Sequence, residues 1–149
     1  MFEFLEEYVV ADEFEDHDKK HTFYPIKEEE IDQLKSNLEG ELPYELVLFY
    51  QEIGYGYFYD EDGCFTDLLM NPKQVMEFKL GKGNYEYSEE REHLDNCDLV
   101  FFEIDADLHI YVKLSGKQQG SVFLGKRKIA DSIKEFVDKV TRTSNYFFG

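Results

Sequence analysis

The chain has 149 residues, enough for one domain with an ordinary core, and its 42% hydrophobic and 17% aromatic content, with 14 Phe and 11 Tyr, excludes a disordered polymer. Thirty-three Asp and Glu against sixteen Lys and Arg leave a charge of −17, which argues against direct binding to nucleic acid or an anionic membrane and for a cationic partner. No stretch approaches the ~20 apolar residues of a membrane span, the start MFEFLEEYVV lacks the basic region of a signal peptide, and the isolated Cys64 and Cys97 suit a reducing, cytoplasmic location.

Phe2, Leu5, Tyr8 and Val9 recur at helical spacing between Glu3, Glu6 and Glu7, which predicts a helix over about residues 2–15. The polar run DEFEDHDKKH then forms a connection. Ile31, Leu34 and Leu38 define a second helix over 27–39, with Glu28, Glu29 and Glu30 in a first turn whose dipole favours negative charge, and Gly40 at its end. Pro43 opens a third helix at the position where a missing N–H costs nothing, and Gly54 stops it. Its apolar positions Tyr44, Val47, Leu48, Phe49 and Ile53 cover more than half of its surface, the mark of a deeply buried helix.

After Gly54 the period changes to two. Tyr55, Tyr57 and Tyr59 alternate with Gly56, Phe58 and Asp60 as a strand, DEDG at 60–63 makes a turn, and CFTDLL returns. Asn71-Pro72 caps a short helix that ends before Gly81, and a helical turn is expected around Ser88–Leu94. Three strands follow at Leu99–Ile104, Leu108–Leu114 and Ser121–Leu124, separated by Asp105-Ala106-Asp107 and Ser115–Gly120. A last helix over Ala130–Arg142 presents Ile133, Phe136, Val137 and Val140 on one face, capped by Asp131 or Ser132. No repeat or linker divides the chain. The expected fold is a single α+β domain over residues 1–149, an antiparallel-rich central sheet covered by N-terminal and C-terminal helices.

The charge is uneven. Residues 1–62 carry 19 acids and 4 bases, and residues 63–149 carry 14 acids and 12 bases. His17 and His21 stand at helical i, i+4 spacing beside Asp16 and Asp18, but a third metal ligand at a recognisable distance is missing. Asp60, Glu61, Asp62 and Gly63 lack the alternating oxygens and closing Glu of a calcium loop, so they read as an acidic hairpin turn. Asp105, Asp107 and His109 alternate as a metal or acid/base set would, but Asp-Ala-Asp reads as the tight turn between two strands. There is no G-x-S-x-G, Cys-His pair or P-loop, so neither catalytic residues nor a metal or cofactor site is expected. Lys126, Arg127 and Lys128, the one basic run, read as a solvated loop or as internal partners of the acidic half. The tail from Asn145 to Gly149 suits either a seal on the core or a contact with a second copy.

Residues 26–56, IKEEEIDQLKSNLEGELPYELVLFYQEIGYG, resemble the opening signature of the SUKH superfamily, whose members relate to yeast cell-wall-synthesis regulators of the Smi/Knr type. The shared pattern is a helix with an I-x-x-L core, a small-residue break, Leu-Pro, then a helix with an aromatic and a closing Gly pair. It falls on Ile31, Leu34, Leu38, Gly40, Leu42, Pro43, Phe49, Gly54 and Gly56. LVFFEIDADLHIYVKL, SVFL and ADSIKEFV resemble the family's later half, so the likeness covers about residues 26–140. Ser132-Ile133 and Lys27 depart from the family's usual Ser-Phe and capping Thr or Ser.

The resemblance implies an α+β fold in which Ile31, Leu34, Leu42, Pro43, Phe49, Gly54 and Gly56 are structural. It also implies a non-enzymatic immunity protein, an antitoxin that neutralises a cognate polymorphic toxin domain by blocking its active site. The alternative it leaves is a scaffold or regulator of cell-wall or envelope growth. A basic, nuclease-type toxin would suit the −17 charge. Tyrosines beside carboxylates combine contact area with steering, so the candidate toxin-binding residues are Tyr57, Tyr59, Asp60, Glu61 and Asp62, then Asp105 and Asp107.

Overall fold

The structure, a computed structural model, describes residues 1–10, 21–38, 41–59, 65–105, 108–144 and 146–148. Among these residues seven strands form one sheet: β1 (Thr22–Tyr24), β2 (Tyr55–Tyr59), β3 (Phe65–Leu69), β4 (Asp98–Asp105), β5 (Leu108–Lys113), β6 (Val122–Leu124) and β7 (Arg127–Ala130). Their order across the sheet is their order in the chain, and every neighbouring pair is antiparallel. Among the described residues four α-helices complete the α+β fold: α1 (Glu28–Ser36), α2 (Tyr44–Glu52), α3 (Pro72–Leu80) and α4 (Ile133–Arg142). Among the described residues no helix is long and apolar enough to cross a membrane.

Aromatic rings fill the space between one sheet face and α2 and α4. Phe23 meets Phe49 and Phe58 edge-on at 5.8 and 5.1 Å, Phe58 reaches Phe102, and Phe102 packs against Phe136 of α4 at 4.8 Å. Edge-to-face geometry sets the positive ring edge against a negative ring face, which adds to the burial of area. Central strands are buried on both faces: Leu99, Val100, Phe101 and Phe102 of β4 are all inside. On the second face α3 lies over β4, placing Phe78 4.7 Å from His109 of β5.

The glycines that close the Leu-Pro helix pair have a steric reason. Gly54 has φ +117°, and a Cβ there would sit 1.9 Å from the Tyr24 carbonyl oxygen; at Gly56 it would sit 2.2 Å from that of Thr22. Strand β1 therefore approaches β2 more closely than any side chain allows. Ile31, Leu34, Leu42 and Phe49 are buried, and Pro43, just before α2, is half-buried.

Three expectations are corrected. The first helix is a 3-10 helix over Glu3–Tyr8, because once Phe2 and Leu5 are buried the chain leaves to bridge Val9 to Phe23 at the sheet edge. Tyr44 is 71% exposed at the start of α2, off the face that buries Leu46, Val47, Phe49 and Tyr50. Strands β1 and β7 stand where a connection and a basic loop were expected; Gly125, at φ +62°, turns β6 into β7. Of the two alternatives left open for the tail, residues 146–148 support the seal on the core: Phe147 is buried, and the Tyr146 hydroxyl donates to the Ile129 carbonyl at 2.8 Å.

Candidate functional site

Alternation along β2 divides its side chains between the two sheet faces. Phe58 turns into the core, while Tyr55, Tyr57 and Tyr59 share the other face at partial exposure. The β1 register sets Tyr24 opposite Tyr55 and Thr22 opposite Tyr57, so Tyr24 joins that face, its ring centre 5.4 Å from that of Tyr55. Tyr24, Tyr55 and Tyr57, with Asn71, the N-cap of α3, and Gln74 of its first turn, line a surface cavity of about 360 Å³. The cavity wall is rigid at α3 because Asn71 and Gln74 form a capping box: Gln74 N–H donates to Asn71 Oδ1 at 2.8 Å, and Asn71 N–H donates to Gln74 Oε1 at 2.9 Å. Tyr57 and Tyr59 thus belong to a four-tyrosine ledge to which sequence periodicity had not joined Tyr24.

Asp60, Glu61, Asp62 and Asp107 lie outside the described residues. Asp105 is the last residue of β4, paired with Leu108. His17 also lies outside. His21 is a core residue, 1% exposed, packed on Tyr8 and Phe58, its Nδ1 accepting from the Tyr59 N–H at 3.2 Å.

His109 takes partners other than the neighbouring aspartates. Across the β4–β5 hairpin its Nε2 donates to Glu103 Oε1 at 2.9 Å. Its Nδ1 meets Glu90 Oε1, and Glu90 Oε2 accepts the His109 backbone N–H at 2.8 Å. The Tyr85 hydroxyl donates to Glu103 at 3.1 Å, and Phe78 and Tyr85 enclose the ring. Burial alone would lower the imidazolium's pKa, but the hydrogen bonds to Glu103 and Glu90 together outweigh it and raise the pKa to about 9. Burial first, and the Glu103 charge next, hold the Tyr85 hydroxyl protonated far above its ordinary range.

This network fastens the Gly83–His93 stretch to the sheet. Arg91 fastens the same stretch to α3, Nε donating to the Phe78 carbonyl at 2.7 Å and Nη2 to the Lys79 carbonyl at 3.2 Å, where the helix end carries partial negative charge. Every ring nitrogen and carboxylate here faces a protein partner, so the arrangement is an internal clasp. Sequence reading missed Glu90, Glu103 and Tyr85. Glu103 carried a usable signal, since it stands directly across a hairpin from His109, whereas Glu90 comes from a separate 3-10 helix, Glu90–His93.

Asp95, Cys97 and Asp98 bring one oxygen or sulfur each within 4.8 Å of one another. Lys113 already supplies a cation there, its Nζ 2.7 Å from Asp98 Oδ1. The Cys97 thiol donates to Asp95, and this bond, then burial, pushes its pKa up, which disfavours the nucleophilic thiolate. Lys126, Arg127 and Lys128 are exposed on and beside β7, with Lys128 paired to Asp131 at 2.7 Å.

A family model described as the SMI1 / KNR4 family (SUKH-1) matches residues 25–139. The chain is 30% identical over 132 residues to the immunity protein YxxD of Bacillus subtilis (strain 168), covering 87% of this chain and 89% of that one. No solved structure matches.

Proposed function

The chain belongs to the SMI1 / KNR4 family (SUKH-1), and from that premise we propose that it is an immunity protein, binding a cognate toxin domain in the cytoplasm and blocking its active site. The observation that carries this reading is the 30% identity to an immunity protein over nearly the whole of both chains. Such a protein acts by occupancy, so it requires contact area and charge and no reacting group. The toxin is a basic, nuclease-type domain: a cleft built to attract phosphate presents clustered cations, and a chain of −17 docks there as a polyanion does.

The toxin-binding residues in this reading are Tyr57 and Tyr59 with Asp60, Glu61, Asp62, Asp105 and Asp107. Topology supports grouping them. In a meander the strands alternate in direction, so β2 finishes at Tyr59 and β4 finishes at Asp105 at the same end of the sheet, two strand spacings or roughly 10 Å apart.

The test is co-expression with the toxin domain encoded in the neighbouring reading frame, scored by survival. Rescue by the intact chain is expected, and no rescue against a toxin of confirmed activity removes the reading. Replacing Asp60, Glu61 and Asp62 together by Ser is expected to weaken binding about tenfold or more and to flatten its salt dependence. Unchanged affinity would move the acidic contact elsewhere.

A further inference from the structure

Resting on the immunity reading, we propose that the turn between β6 and β7 is a second toxin contact of opposite sign, where Lys126 and Arg127 take a carboxylate cluster of the toxin while the acidic residues at the same end of the sheet take its cations.

Lys126, Arg127 and Lys128 are consecutive cations in a chain whose 33 acids outnumber its 16 bases, and all three are exposed. Lys128 is held by Asp131 at 2.7 Å. Among the described residues Lys126 and Arg127 have no ion pair, whereas Lys73, Lys113, Lys134 and Lys139 each have one. These two charges therefore do no internal work and are open to a partner.

Topology sets them beside the acids of the toxin-binding end. Strand β6 runs in the direction of β2 and β4, so it finishes where they finish, at the end of the sheet that carries Tyr59 and Asp105. Tyr111 pairs with Phe123, and carrying that register three residues further sets Lys126 level with Leu108, the partner of Asp105. Asp105 and Lys126 are thus two strand spacings, roughly 10 Å, apart. The sheet end is bipolar.

The basic turn is also held in place. Gly125, at φ +62°, and Lys126 are the two residues that join Leu124 to Arg127. The Tyr111 hydroxyl donates to the Gly125 carbonyl, and the Tyr111 ring stacks on Phe123 with centres 5.6 Å apart. Cations on a fixed backbone lose less freedom on docking than cations on a loose one.

Carboxylates fit this turn better than nucleic acid does. A nucleic acid presents an extended row of phosphates and gains affinity from many cations at once, yet a strand laid across this turn runs onto Asp105. A compact carboxylate cluster is satisfied by one guanidinium fork and one ammonium. A phosphodiester-cutting site that holds a divalent ion carries such carboxylates beside its phosphate-binding cations.

The sign of a charge effect tests this. Were surplus negative charge the whole of the attraction, adding more of it anywhere would leave binding to a basic toxin unchanged or tighten it. Arg127→Glu and Lys117→Glu each lower the net charge by two, from −17 to −19, at exposed positions; Lys117 stands between β5 and β6, at the opposite end of the sheet. Binding of the full chain to the toxin domain from the neighbouring reading frame is measured by titration calorimetry for wild type, Arg127→Glu, Lys126→Glu and Lys117→Glu, each checked for an unchanged unfolding transition.

Arg127→Glu and Lys126→Glu are each expected to weaken binding at least about tenfold, with Lys117→Glu unchanged or slightly tighter. Should Arg127→Glu not fold, Lys126→Glu decides by itself. Wild-type or tighter affinity in the turn variants overturns the bipolar contact and leaves the immunity reading standing. Binding of a labelled RNA or DNA oligonucleotide that Arg127→Glu abolishes, with toxin affinity unchanged, would give the turn to nucleic acid and overturn it. A dimer of this chain that Arg127→Glu dissolves would give it to a second copy and overturn it likewise. Absence of any binding by the wild-type chain to an active toxin domain removes the immunity reading itself, and this contact with it.

Discussion

A histidine between two carboxylates is worth most to a fold when it is charged, and His109 is held in that state. Its pKa of about 9 in the native protein stands above the ordinary 6.5, so the folded chain binds this proton more tightly than the unfolded chain does. The resulting stability is complete below about pH 6.5 and is lost as the pH rises through 9. Each tenfold gain in proton affinity is worth about 1.36 kcal/mol, which puts the full effect on the order of 3 kcal/mol. Glu90 and Glu103 keep 24% and 23% of their side chains in water, which screens part of it. His109→Gln is therefore expected to lower stability by about 2 kcal/mol at pH 6.5, with the gap closing towards pH 9.5. Urea unfolding across that range reads it; a gap that stays constant with pH would mean that the ring acts through its packing against Phe78 and not through its charge.

Among the elements, β1 shows most plainly how a three-residue segment becomes a strand. Thr22–Tyr24 has almost no pattern to read, and its pairing depends on two glycines in β2's approach that let the backbones meet. Gly54→Ala is expected to cost about 3 kcal/mol or more, because the new methyl would meet the Tyr24 carbonyl at 1.9 Å in addition to the cost of a positive φ. Gly125→Ala, at φ +62° with nothing within 4 Å, is expected to cost only about 1 kcal/mol. Thermal unfolding of the two variants compares them, and similar losses would show that β1 is less tightly seated than the distances indicate. The other elements announced themselves. Ile31 with Leu34, the Asn71-Pro72 cap, the β2–β6 alternation and the Ser132-capped stripe of α4 are local patterns, and each forms the helix or strand that its period predicts.

For the whole molecule, the −17 charge bears on encounter more than on fold. Association with a basic toxin domain is expected to slow at least tenfold between about 50 and 500 mM salt, with a smaller change in the dissociation rate, because screening acts on charges approaching from beyond the ~10 Å Debye length at 0.1 M. Stopped-flow measurement checks this, and a salt-independent on-rate would mean that the surplus carboxylates do not steer. The sequence by itself determined the family, the α+β class, four helices and most of the strands, since periodicity, caps and turn residues act over a few positions and leave their mark there. Tertiary structure alone decided what depends on contacts between distant residues. It shortened the first helix so that Val9 could meet Phe23, made strands of Thr22–Tyr24 and Arg127–Ala130, and brought Glu90 from the 3-10 helix Glu90–His93 to His109. It also set Tyr24 beside Tyr55, because residues that pair across a sheet are chosen by register and backbone clearance, neither of which is written in the neighbouring sequence.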